Sequence, residues 1–190
     1  SVSSNIEFIT AHGKYHYRYS NGFYDTTAIR NNGDITGVRF ENYWFKKKNS
    51  SEEFFIKTYF YNSNRGLPGA IVANKYYNPQ RLWDKNFFIQ SSYKKEISKY
   101  YNFLINTKFS FDYTRYVDPD FIMTTGPLNN SYKQKEFYFS AAQEYKIKLW
   151  WKWTLATDFL HQTMDADLYR FPFPTRRSFI GALNSSINLK

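Results

Sequence analysis

At 190 residues the chain matches one domain, long enough to bury a core without disulfides or a metal. With no cysteine it excludes a disulfide framework, a thiolate zinc site, an iron–sulfur cluster and a cysteine nucleophile. The 26 Lys and Arg against 16 Asp and Glu leave a net charge of +10, which attracts phosphate, and an aromatic share of 22% with 18 Tyr, 19 Phe and 5 Trp favours pleated surfaces.

The N-terminal residues carry no basic patch followed by an apolar stretch, so no signal peptide is expected. No window approaches the ~18 consecutive apolar residues of a transmembrane helix. Turn signals at Ser20–Gly22, Asn31–Asp34, Asn49–Ser51, Asn62–Gly69, Asn78–Pro79, Asp118–Asp120 and Gly126–Ser131 cut the chain into short pieces. Short runs rich in Tyr, Phe, Ile and Thr between such signals predict about eight to nine antiparallel strands.

In chain order, KYHYRY alternates Tyr15, Tyr17 and Tyr19 with Lys14, His16 and Arg18, the period of two that places neighbours on opposite faces of a strand. Weaker alternation runs over residues 35–45, 53–61, 108–117 and 136–140. The clearest case is EYKIKLWWKWTL, where Ile147, Leu149, Trp151, Trp153 and Leu155 alternate with Lys146, Lys148, Trp150, Lys152 and Thr154, so one face reads as core. Two short helices are expected, over 93–105 from the spacing of Ile97, Tyr101 and Leu104, and over 155–164.

Lys146, Lys148 and Lys152 around Trp150 combine charges for phosphates with a ring on which a base can stack. Lys14 and Arg18, the run Lys46, Lys47 and Lys48, and the pair Lys94 and Lys95 after Tyr93 offer further phosphate contacts, although short lysine runs also serve to keep strand edges soluble. In RFPFPTRR, Pro172 and Pro174 impose an extended backbone on Phe171 and Phe173. Those rings, with Arg176 and Arg177, predict a docking segment for this chain or for a second copy. His12 and His16, and the pairs Asp118 with Asp120 and Asp165 with Asp167, lack any accompanying phosphate loop or nucleophile motif. Neither an enzyme nor a cofactor is indicated.

The run QEYKIKLWWKWTLATDF, through Tyr145, Ile147, Lys148, Leu149 and Phe159, resembles the last jelly-roll strand of circovirus-like single-stranded-DNA virus capsid proteins. DITGVRFENYWF, through Ile35, Val38 and Phe40, is similar to an early strand of that family. About thirty residues follow the supposed last strand, and the family's arginine-rich N-terminal arm has no counterpart in this sequence. The resemblance implies an eight-stranded sandwich that assembles into a shell with basic residues facing nucleic acid.

The resulting expectation is an all-β antiparallel sandwich of jelly-roll type over residues 1–165, with an extended arm over 166–190. It would assemble with copies of itself, contact nucleic acid in a virion and have no membrane span. An RNA-contacting subunit of an organellar assembly such as a mitochondrial ribosome, and a carbohydrate-binding or adhesive sandwich, are the alternatives.

Overall fold

A computed structural model of the chain describes residues 1–20, 22–23, 25–69, 77–124 and 126–188. Ten strands run in chain order: β1 (Val2–Ala11), β2 (Tyr15–Ser20), β3 (Asp25–Arg30), β4 (Ile35–Asn49), β5 (Glu52–Gly66), β6 (Arg81–Ser98), β7 (Tyr101–Met123), β8 (Gly126–Lys148), β9 (Trp151–Ala166) and β10 (Thr175–Ile187). All pairings are antiparallel. The all-β antiparallel expectation therefore holds, while no helix occurs among the described residues. The stretch 93–105 is the end of β6, a tight turn and the start of β7, and 155–164 lies within β9. The helical spacing of Ile97, Tyr101 and Leu104 arose by counting across a chain reversal.

Eight strands form one sheet in the order β1-β4-β5-β6-β7-β8-β9-β10, and β2 and β3 form a separate hairpin. Apart from the step over that hairpin the large sheet is a meander, without the crossovers of a jelly roll. Its strands reach 23 residues in β7 and β8, well beyond the usual 3–10. Three turn signals were overridden by this length: Asn62–Gly66 finishes β5, Asp118–Asp120 sits at an irregularity in β7, and Gly126–Ser131 opens β8, whereas Asn49–Ser51 does mark the β4–β5 turn. Residues 175–187 of the expected C-terminal arm are β10, paired to β9 from Thr175↔Thr163 to Ile187↔Trp151. Between β1 and β10 no hydrogen bonding occurs among the described residues, so both present an open edge.

The two ends of the sheet differ. At one end the hairpins β4–β5, β6–β7 and β8–β9 close through tips at Ser50–Ser51, Lys99–Tyr100 and Leu149–Trp150. At the other lie the β2–β3 hairpin, the connection 67–80, the short β7–β8 reversal between Met123 and Gly126, and the connection 167–174. Measured from the paired row Phe54, Tyr93, Ile105 and Ala141, the three tips lie roughly three, six and eight residues further along. That stagger, at ~3.4 Å per residue and ~4.8 Å between strands, inclines the strands by about 40° from the perpendicular to the line through the three tips.

Packing is unlike that of a globular domain. The solvent-accessible surface is 13176 Å² for 22.8 kDa, against about 9,600 Å² for a compact monomer of this mass. Ala166 is the one buried apolar residue, and no large side chain is fully buried, among the described residues. The expected core face of the Trp-rich segment is instead open: Leu149 is fully exposed, and Ile147, Trp153 and Leu155 are more than 40% exposed.

Candidate functional site: two unlike faces of one sheet

Directly paired residues share a face, so the register sorts every side chain of the large sheet. One face carries rows such as Ile6, Phe40, Phe60, Phe87 and Phe111, and Val2, Trp44, Ile56, Ser91, Thr107, Phe139, Phe159 and Phe179. Charged residues on it occur toward the strand ends, as with Lys46 and Lys95 near the tips and Lys85, Arg115, Lys133, Lys135, Asp165 and Arg177 near the long connections. Between Lys85 and Lys95 of β6 the same face holds Phe87, Ile89, Ser91 and Tyr93. Those lysines, ten residues apart, stand roughly 26 Å apart across the band after correcting for tilt.

Near the tips this apolar band ends in a row of rings crossing five strands. Trp44 meets Phe54 at 5.4 Å, Phe54 meets Tyr93 at 6.3 Å, Tyr93 meets Phe103 at 5.7 Å, and Tyr101 stacks on Tyr145 at 4.5 Å. Tyr101 lies 6.4 Å from Phe103, which joins the two halves of the row.

The opposite face is a polar lattice. Arg39 pairs with Glu7 and lies 3.9 Å from Glu41, which Lys57 approaches at 3.8 Å. Glu136 accepts from Gln162 at 2.7 Å and from Lys108 at 3.4 Å, Asn86 donates to Asp112 at 2.6 Å, and Tyr138 donates to Asp158 at 3.1 Å. Asp84 joins Arg65 and Thr114, and Glu144 joins Lys152 and Asn102. The least exposed positions of β5, β6 and β7 include Ser63, Ser92 and Ser110 on this face, whereas Phe60, Phe87, Ile89 and Phe109 opposite remain 38–41% exposed. Small residues shielded on one side and rings left open on the other are what a sheet curling toward its polar face produces.

Beside the long connections, Arg81 ties three segments together. It donates to both carboxylate oxygens of Asp34 at 3.2 and 2.8 Å, to Asn64 at 3.1 and 2.8 Å and to Asn32 at 3.3 Å. Asn32, in the left-handed region at φ 59, donates onward to the carbonyls of Asn78 and Gln80. Arg81 holds the Asp34 carboxyl below its ordinary range, so this contribution to stability is complete above the unfolded pKa of about 3.9 and is lost as pH falls through the lower folded value. Arg81→Met is expected to cost about 1 kcal/mol at pH 7, both groups being partly solvated. The difference from wild type should shrink in denaturant titrations carried below pH 3.

The residues singled out in the sequence separate into two groups. Lys46, Lys47 and Lys48 at the end of β4, and Lys146, Lys148, Trp150 and Lys152 around the β8–β9 tip, come to the same end of the sheet. Lys94, Lys95 and Lys99 join them there. Several are already engaged: Lys47 with Glu53 at 2.7 Å, Lys48 with Glu52 at 3.6 Å, and Lys152 with Glu144 at 3.1 Å. The Lys148 ammonium lies 5.3 Å from the Trp150 ring, which stacks on Trp151. Lys14 and Arg18 lie at the opposite end, where Arg18 pairs with Asp25. Phe171 and Phe173 face each other at 5.7 Å in the connection 167–174, while Arg176 and Arg177 belong to β10, opposite Gln162 and His161.

The joint place of Trp44, Tyr101 and Tyr145 in one ring row escaped sequence reasoning, because a girdle of rings appears only once the register aligns the strands. The available signal was the placing of charges on the apolar face at strand ends. No protein-family model matches the chain, and no curated protein matches it.

Proposed function

We propose that the large sheet is part of the wall of an outer-membrane-type transmembrane β-barrel, its apolar face against lipid and its polar face lining the interior. The observation that carries this reading is the sorting of side chains by register: a continuous apolar band over all eight strands, with ion pairs and buried hydroxyls on the other face. Water-soluble monomers rarely leave so large a band uncovered.

Barrel strands that cross a bilayer are long, tilted by ≈ 35–45° and alternate apolar with polar, and an aromatic girdle marks each interface. On β7 the rings of Tyr101 and Tyr113 bracket Phe103, Ile105, Thr107, Phe109 and Phe111, a span of about 30 Å after tilt. One end is closed by short turns alone, and the other carries the longer connections beside the tight β7–β8 turn, as on the two sides of such barrels. No helix among the described residues is long and apolar enough to cross a membrane, which agrees with the sequence expectation of no membrane span as far as helices go; the reading proposed here crosses by strands, which need no such helix. The polar lattice supports a wall that encloses water or solute.

The test is refolding of the complete polypeptide from denaturant into neutral phospholipid vesicles. The expected result is flotation with the vesicles, a folded form that migrates differently on gels when unheated, and protection of the strands from protease with cleavage confined to the long connections. A stable, detergent-free soluble monomer would overturn the proposal.

A second reading, a self-assembling coat protein that contacts nucleic acid, is favoured by the lysine-rich tips around Trp150. It requires further copies to cover the apolar band, and it expects a large nucleic-acid-bearing particle in place of vesicle insertion.

A further inference from the structure

The cleft with the most unusual chemistry lies on the apolar face, where the band meets the tips of β4–β5. It encloses ≈ 480 Å³ and is lined by Trp44, Lys46, Lys48, Glu52, Phe54 and Tyr93. Half of that lining is rings belonging to the aromatic row, and the other half is charged. Lys46 shares its face with Trp44 two residues before it, and is paired across the sheet with Phe54 and then Tyr93. Lys95 pairs with Glu52 and extends the positive rim.

The single carboxylate is already occupied. Glu52 accepts from the Tyr93 hydroxyl at 3.0 Å and lies 3.6 Å from the Lys48 ammonium. Three ammonium groups against one carboxylate leave the cleft with a surplus of positive charge, and Lys46 and Lys95 form no ion pair among the described residues.

We infer that this cleft binds the phosphate of an anionic glycerophospholipid from the leaflet that surrounds the tips, with Lys46, Lys48 and Lys95 on the headgroup and Trp44, Phe54 and Tyr93 against the upper acyl chain. The inference rests on the barrel reading, which puts this face in lipid and the ring row at headgroup depth. Lysines near a membrane surface favour anionic lipid, and their stems lie along the band while the ammonium groups reach the interface. A soluble phosphate compound would satisfy the lysines and leave the three rings wet; a lipid covers both.

The experiment uses the complete protein refolded in detergent micelles, with phosphatidylglycerol or phosphatidylcholine titrated in and the retained lipid counted by native mass spectrometry. Wild type is expected to retain phosphatidylglycerol at least tenfold more tightly than phosphatidylcholine. The triple variant Lys46→Gln, Lys48→Gln, Lys95→Gln should lose that preference. Lys146→Gln with Lys152→Gln, at the same end and outside the cleft, should keep it, and Glu52→Gln should strengthen it.

Equal retention of the two lipids by wild type, or an unchanged preference in the triple variant, would overturn the inference while leaving insertion into neutral vesicles intact. Displacement by inorganic phosphate would reassign the cleft to a soluble ligand. Failure to insert into any vesicle strikes the barrel reading and the lipid site with it.

Discussion

Ile89→Arg is expected to cost the inserted protein about 2–4 kcal/mol, the range for a cation near the midplane of a barrel's lipid face. Ile89 lies on the apolar face, six residues from Lys95 and four from Lys85, between Thr58 of β5 and Phe109 of β7. No carboxylate shares its row within the two adjacent strands on either side, where Asn42, Thr58, Phe109 and Phe137 stand. The adjacent Gln90 belongs to the polar face, paired with Lys57 and Lys108, so Gln90→Arg meets like charge but no lipid and is expected to cost less than 1 kcal/mol. Reversible denaturant titration of vesicle-embedded protein measures both. On a water-exposed surface a 40% exposed isoleucine is replaced by arginine at little cost, so equal stabilities for the two variants would argue against lipid on that face.

The second large effect concerns the open edges. Every second residue of β1 and of β10 points its backbone donor and acceptor away from the sheet, and within a bilayer each unsatisfied group costs several kcal/mol. In the inserted protein those outward amides of Val2–Ala11 and Thr175–Ile187 should therefore be paired with further strand and exchange with deuterium about a thousandfold more slowly than free amides. The apolar face continues to both edges, with Phe8 80% exposed and Phe179 75% exposed, so the band does not taper where the described strands end. Because the chain has no cysteine, pairs introduced at Ile6 and Leu183 report by crosslinking whether β1 and β10 meet each other. Rapid exchange along either edge in vesicles would contradict a closed wall.

Much of this was legible in the sequence, and the rest fails for identifiable reasons. Period-two alternation placed Trp151, Trp153 and Leu155 on one side, and they do share the apolar face, whereas Ile147 falls at the register irregularity of β8. What alternation lacks is any statement of what that face touches, since a strand half-buried in protein and one half-buried in lipid have the same period. The β8–β9 reversal at Leu149–Trp150 was invisible because it contains none of the Gly, Pro, Asn or Asp that usually mark a turn, and the alternation continues across it in phase. Conversely, Asn62–Gly66 and Gly126–Ser131 carry turn residues inside paired strands, where the strands rise past the apolar band toward the connections. The lysine runs were read as a phosphate surface; their common position at one end required the register.

The unequal ends also carry a direction. A wall that enters a bilayer must drag one set of connections through hydrocarbon, and the cost grows with the polar backbone carried along. The three tips bring a pair of residues each, among them the fully exposed Leu149 beside Trp150, whereas the opposite end holds a folded hairpin with its own Arg18–Asp25 pair and the Arg81 junction. In the barrel reading the two sides of the bilayer are therefore not equivalent: the lysine-rich tips would meet one leaflet, and the bulkier end, with its hairpin and junction, would meet the other.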